Sequence, residues 1–202
     1  MFREIRSEVL AAWVAERGFG LIACAAGEGA APLTAHVPVL FEEGLLRFHL
    51  SAANPLCAQL QQGARMLAVV SGPDAYVSPD WYEAANQVPT WNYCAVEIEG
   101  VPRALDRART VQLLDDLSAH FEARLAPKPA WTRGKMDPAV FEAMLGGIVG
   151  FEVMVERFEG TAKLSQNKPD AVIARVAAAL RLRTEAGSRA VAERMSGEPP
   201  AV

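Results

Sequence analysis

Cysteine is scarce in this chain. Only Cys24, Cys57 and Cys94 occur among 202 residues, widely spaced and with no Cys-x-x-Cys. A disulfide framework, a zinc ribbon and a thioredoxin-like centre are excluded, which leaves three small apolar side chains for a core. No apolar run reaches about 18 residues, so the sequence offers no membrane-spanning helix. Met1-Phe2-Arg3-Glu4-Ile5-Arg6 is charged and lacks an apolar stretch, so it does not read as a signal peptide, and a cytoplasmic location is expected. A basic surplus is also missing, with 20 Lys and Arg against 24 Asp and Glu for a net charge of −4. Neutralising phosphates supplies most of the affinity for nucleic acid, so direct DNA binding is doubtful. The stretch 170–183 holds only Arg175, Arg181 and Arg183, which is thin for a recognition helix. His36, His49 and His120 stand too far apart for a metal pair. HExxH, GxGxxG, GxxxxGK[ST] and a serine elbow are all absent.

What is present is apolar material, 51% of the chain, with 22% charged residues. A single domain of this length buries roughly 70% of its unfolded surface, enough for a core without staples. Phe2, Ile5, Val9 and Trp13 recur at helical spacing and predict a first helix ending before Gly18. Short apolar runs at 19–24, 32–41 and 45–50, separated by Gly27-Glu28-Gly29 and Glu42-Glu43-Gly44, predict an antiparallel meander. Asn54-Pro55 predicts a capped short helix, and Met66 to Val70 a buried strand ended by Gly72-Pro73. Residues 73–93 are broken by Pro73, Pro79 and Pro89 and rich in aromatics, which predicts an ordered, packed loop. Tyr93 to Glu99 alternates as a strand. Helices follow at 107–125, with Val111, Leu114, Leu117 and Phe121 inward, and at 138–145. Ile148 to Phe158 reads as one long strand. A helix at 170–182 continues into 184–195, and Glu198 to Val202 frays. The sum is an α+β fold, an antiparallel barrel with flanking helices over residues 1–183 and a helical extension over 184–202.

Polar side chains gather beside these strands. Thr34 and His36 sit in the second strand, Ser51 ends the third, and Ala52 and Asn54 form the turn after it. Trp91 and Asn92 open a later strand, and Lys163, Ser165, Gln166 and Asn167 follow the last one. Hydroxyls, amides, one ammonium and an indole suit an anionic phosphate and a flat heterocycle. Each also has a plain structural reading: Asn54 as a helix cap, Trp91 and His36 as core, 163–167 as a solvated turn. No residue stands out as a general acid or base, so no catalytic group is named and enzyme activity stays open.

At these residues the sequence resembles the PaiB-like FMN-binding split-barrel family, described as negative transcriptional regulators. The likeness is carried by Ala35-His36-Val37-Pro38, His49-Leu50-Ser51 through Ala53-Asn54-Pro55, and Gly72-Pro73. It continues through Ala75-Tyr76-Val77-Ser78-Pro79 with Trp81-Tyr82, Val88-Pro89-Thr90-Trp91-Asn92-Tyr93, Ile148 to Glu152, and Lys163-Leu164-Ser165-Gln166-Asn167. It spans about residues 2–182. The resemblance implies a homodimeric antiparallel split β-barrel with FMN at the subunit interface, its phosphate near Ser51 and Ala52 and its ring near Trp91 and Asn92. Three positions depart from the family pattern. Ala52 stands where a basic residue is usual, Leu56-Cys57 where an aromatic follows Asn-Pro, and Asp74 where His is usual. Loss of one charge-assisted phosphate contact costs about 1.5–3 kcal/mol, so weakened or lost FMN binding is expected. The competing readings are a haem-binding split barrel, with His36, His49 or His120 as axial ligand, and a cofactor-free interaction module.

Overall fold

The computed structural model describes residues 2–4 and 6–197. Ile5 of the expected first stripe and the expected frayed end Glu198–Val202 lie outside the described residues. Among the described residues nine strands and six α-helices follow in chain order: β1 Arg3–Glu4, α1 Ser7–Arg17, β2 Phe19–Cys24, β3 Leu33–Glu42, β4 Leu45–Ser51, α2 Pro55–Gln61 and β5 Met66–Val77. Then come β6 Thr90–Gly100, β7 Arg103–Ala104, α3 Arg107–Ala123, α4 Pro138–Leu145, β8 Ile148–Met154, β9 Arg157–Lys163, α5 Asp170–Arg181 and α6 Ala186–Met195. The chain divides into two compact units. Strands β5, β6 and β9 each begin in one and end in the other.

The first unit comprises Ala11–Val70 and Glu97–Phe158. Its strands run antiparallel in the order β5-β2-β3-β4-β8-β7. Register is fixed by alternation. Ile22, Leu46, Phe48 and Leu50 are buried while Leu21, Arg47 and His49 between them are not. Leu21 lies opposite His36, and His49 opposite Gly150. Gly44 turns the β3–β4 hairpin at φ +79°, a conformation that costs a side chain energy and glycine almost none. The expected cap of α2 is formed, with Asn54 Oδ1 accepting from the Leu56 amide at 2.9 Å and Pro55 at the first helical position. On α3 the residues turned inward are Thr110, Leu113 and Leu117. Leu113 and Leu117 pack with Leu40, and Leu105 and Phe121 flank them.

The second unit comprises Met1–Leu10, Ser71–Val96 and Glu159–Val202, with strand order β1-β9-β6-β5. Its core joins Ala75, Val77 and Tyr82 to Val176, Ala177 and Leu180 of α5 and to Val191 and Ala192 of α6.

Besides the α3 stripe, where Thr110 and Leu113 are buried instead of the expected Val111 and Leu114, four expectations are corrected. The first helix starts at Ser7, because residues 3–4 are drawn into the sheet: Arg3 pairs with Thr161, and the Ala162 amide donates to Phe2 O at 2.7 Å. Its buried positions are Leu10 and Val14, while Val9 and Trp13 are half-covered. The strand expected to stop at Gly72-Pro73 runs on to Val77, and the stretch read as loop shrinks to residues 78–89. Gly72 permits this, since a Cβ there would meet Cys94 at 3.0 Å. The single strand expected at 148–158 is two. Val155 N donates to Gly44 O and Glu156 N to Glu99 O, so the chain changes partners at that point. Residues 184–195 form a separate helix instead of continuing α5.

Candidate functional site

In the first unit the expected residues lie on β3, β4 and the turn into α2. Thr34 and His36 are exposed on β3, and the His36 ring stacks on Phe19 with centroids 6.3 Å apart and planes 18° apart. Ser51 Oγ accepts from the Ala53 amide at 3.3 Å, Asn54 N reaches Ser51 O at 3.0 Å, and Ala52 N reaches Gly147 O at 2.9 Å. The turn is therefore held by its own hydrogen bonds, with Ser51 and Ala52 facing water. Asn54 spends its oxygen on the cap, as its structural reading required.

Two arginines nearby in sequence are candidates to replace the missing cation, and both are engaged. Arg47 donates to Asp116 at 2.6 Å and to Glu42 at 2.8 Å. Arg65 pairs with Glu156 at 2.6 Å. On the same unit Arg109 forms a two-pronged pair with the buried Glu152, which holds the guanidinium above its ordinary pKa.

In the second unit Asn92 is wholly buried. Its Nδ2 donates to Ser165 Oγ at 2.9 Å and lies 3.5 Å from the Met195 sulfur, and the serine hydroxyl reaches back to Asn92 Oδ1 at 3.3 Å. Ser165 is buried and left-handed at φ +61°, a strained state for a non-glycine residue. Burial pushes the Tyr82 phenol up, opposed by its hydrogen bond to Ser165. These residues hold one another. Lys163 Nζ contacts Thr90 Oγ1 at 2.5 Å and stands over the Phe2 ring. Gln166 folds back on its own turn, accepting from the Leu164 amide at 2.7 Å and donating to Ala162 O. Asn167 is exposed.

Trp91 differs from its neighbour Asn92 by strand alternation alone. It is 54% exposed and meets Tyr76, 48% exposed, edge to face with centroids 6.2 Å apart. Tyr93, two residues on, shares the same side of β6. Tyr76 and Trp91 also line a cavity of about 580 Å³ whose other walls include Trp81, Asp74 and Arg183. The aromatic density at 76–93 signalled these rings in advance. Nothing in the sequence signalled Arg183, which comes from beyond α5.

Residues 1–157 match the model of the family described as "Putative FMN-binding domain". The chain belongs to that FMN-binding family. It is 30% identical over 171 residues to the protease synthase and sporulation protein PAI 2 of Bacillus subtilis, an alignment covering 83% of this chain and 80% of that one. Among solved structures it resembles a FAD and heme binding protein from Mycobacterium smegmatis, with 17% identity, TM-score 0.62, and coverage of 88% of this chain and 80% of that one. A flavocytochrome from Azotobacter vinelandii aligns at 15% identity and TM-score 0.59, covering 80% and 69%. The fold is the antiparallel split β-barrel of flavin-binding proteins, as the resemblance implied. No helix among the described residues is long and apolar enough to cross a membrane.

Proposed function

We propose that this member of the FMN-binding family binds FMN, weakly, as a homodimer, and serves a regulatory or flavin redox role without reading DNA directly. The observation that carries the reading is the exposed aromatic set Tyr76, Trp91 and Tyr93, with the first two lining a large cavity. Flat apolar rings left in water are what a heterocycle or a second subunit covers. From the first unit we assign Ser51, Ala52 and the turn before α2 to the phosphate, and Thr34 and His36 to an exposed neighbouring face. From the second we assign Trp91 to the flavin ring or to the partner. Asn92, Ser165 and Gln166 act by holding strand and turn in place. Lys163 is tied to Thr90, and Asn167 is open to solvent. The bound flavin would supply the electron chemistry, while this chain supplies binding and electrostatics.

The structure fits the ring better than the phosphate. Ala52 brings no charge, and Arg47 and Arg65 are committed to carboxylates. The absorption spectrum of freshly purified protein tests the reading: flavin bands, strengthened by added FMN, are expected. A protein that binds no FMN at millimolar concentration overturns it. DNA binding at physiological salt should stay in the non-specific range of about 10⁻⁴–10⁻⁶ M, and nanomolar sequence-selective binding would refute that part. The haem reading loses two of its three candidate ligands. His120 Nε2 lies 2.6 Å from an Arg124 guanidinium nitrogen, a poor neighbour for an axial ligand, and His36 is stacked and exposed.

A further inference from the structure

One buried imidazole in the first unit lies outside the site described above. His49 projects from β4 on the side opposite Phe48 and Leu50, and its Nδ1 is buried with no hydrogen-bond partner. It lines a cavity of about 400 Å³ inside the first unit, under α3 and α4. Leu114, Leu117, Phe121, Phe141, Leu145 and Ile148 are among the apolar residues of the wall, and none of the residues assigned to the flavin lines it. A second cavity of about 580 Å³ shares Trp131, Arg133 and Phe141 with it.

The charged groups of the wall and its serine hydroxyl are already engaged. Arg133 makes a two-pronged pair with Asp115 at 2.9 and 3.0 Å and lies over the Phe141 ring. The Ser118 hydroxyl donates to Leu114 O at 2.8 Å, and Glu122 accepts from the Trp131 amide at 2.8 Å and from Lys128. Burial pushes the His49 imidazole below its ordinary value, so the ring is neutral near pH 7. A largely apolar pocket with paired charges and one buried, unpaired polar atom favours a particular occupant. An ion is disfavoured, a plain hydrocarbon leaves the imidazole nitrogen orphaned, and a molecule with a single hydroxyl satisfies both. At interior packing density the space holds about 15 non-hydrogen atoms.

We propose that this cavity is a second ligand site, separate from the flavin site, for an uncharged and mainly apolar aromatic molecule carrying one hydroxyl that pairs with His49.

The test uses the whole protein with 2-naphthol and naphthalene as probes, followed by calorimetry or probe fluorescence. We expect 2-naphthol to bind about three- to tenfold more tightly than naphthalene, the range of one neutral hydrogen bond. His49→Leu should erase that ratio while retaining naphthalene, and Leu117→Trp should remove both by filling the space. Ser118→Phe provides the same blockade at a half-buried position if Leu117→Trp does not fold. Binding of neither probe up to its solubility limit overturns the site, and an unchanged ratio in His49→Leu overturns the role of the imidazole. Displacement of 2-naphthol by FMN overturns its separateness. Retained 2-naphthol binding in protein that fails to take up FMN would refute the flavin reading alone.

Discussion

Replacing Ala52 by arginine tests the phosphate assignment most directly. The position is exposed, and its backbone amide is already fixed to Gly147 O at 2.9 Å, so a longer side chain enters water without disturbing the turn. A charge-assisted hydrogen bond contributes about 1.5–3 kcal/mol, which converts to about ten- to a hundredfold in affinity. Exposure favours the lower end, because solvent screens a surface charge. We therefore expect Ala52→Arg to tighten FMN about tenfold at low salt, the gain shrinking as ionic strength rises and the screening length falls. Ala52→Gln, which adds length and hydrogen bonding without charge, should recover only a small part. Quenching of flavin fluorescence on titration with each protein measures all three. Equal affinities for wild type and Ala52→Arg would remove residue 52 from the phosphate site. Nanomolar binding by the wild type would show that a cation other than Arg47 or Arg65 supplies the missing charge.

Three further outcomes are expected. Light scattering at micromolar concentration should give a dimer burying over about 2,000 Å² in total, and Trp91→Glu should weaken it by about thirtyfold or more, as loss of an aromatic hot spot does; a monomeric wild type refutes this. Asn92→Leu should cost about 1–3 kcal/mol in urea unfolding, because the buried Ser165 hydroxyl loses its partner, while the FMN affinity of the folded fraction stays unchanged; a loss of affinity without loss of stability would make Asn92 a flavin contact instead. His49 has a lowered folded-state pKa, so the unfolded chain takes up its proton first, and stability should fall as pH drops below 6.5. Glu99, held down mainly by its hydrogen bond to Arg157, gives the same sign only below about 4.5. His49→Leu should flatten the upper part of that profile alone.

The hairpins were legible in the sequence because their signals are local. Glycine turns delimit β2, β3 and β4, and Asn54-Pro55 announces α2 within a few residues. What could not be read there depends on distant partners. Nothing near Phe2 tells that its carbonyl will receive the Ala162 amide, so a helical stripe was the natural reading of residues 2–13. Gly72-Pro73 is ordinarily punctuation, and its place inside β5 depends on the close approach of Cys94. The site shows the same division. The sequence picked out the 51–54 turn and the aromatic stretch, but not that Arg47 is spoken for by Asp116, sixty-nine residues away, or that Asn92 turns inward to Ser165. The unpaired nitrogen of His49 depends on helices α3 and α4 arriving over it, which no local pattern encodes.

The family match stops at residue 157, yet α5 and α6 lie beyond it. Together they supply five of the eight buried members of the cluster around Ala75, Val77 and Tyr82. The segment matched by the family model thus lacks most of the apolar cover of that cluster. A fragment trimmed to the matched region would bare a tyrosine and two aliphatic residues, and proteases or chaperones would meet it as a partly open molecule. Substitution at Val176, Ala177, Leu180, Val191 and Ala192 is therefore constrained by the apolar cover these side chains give that patch.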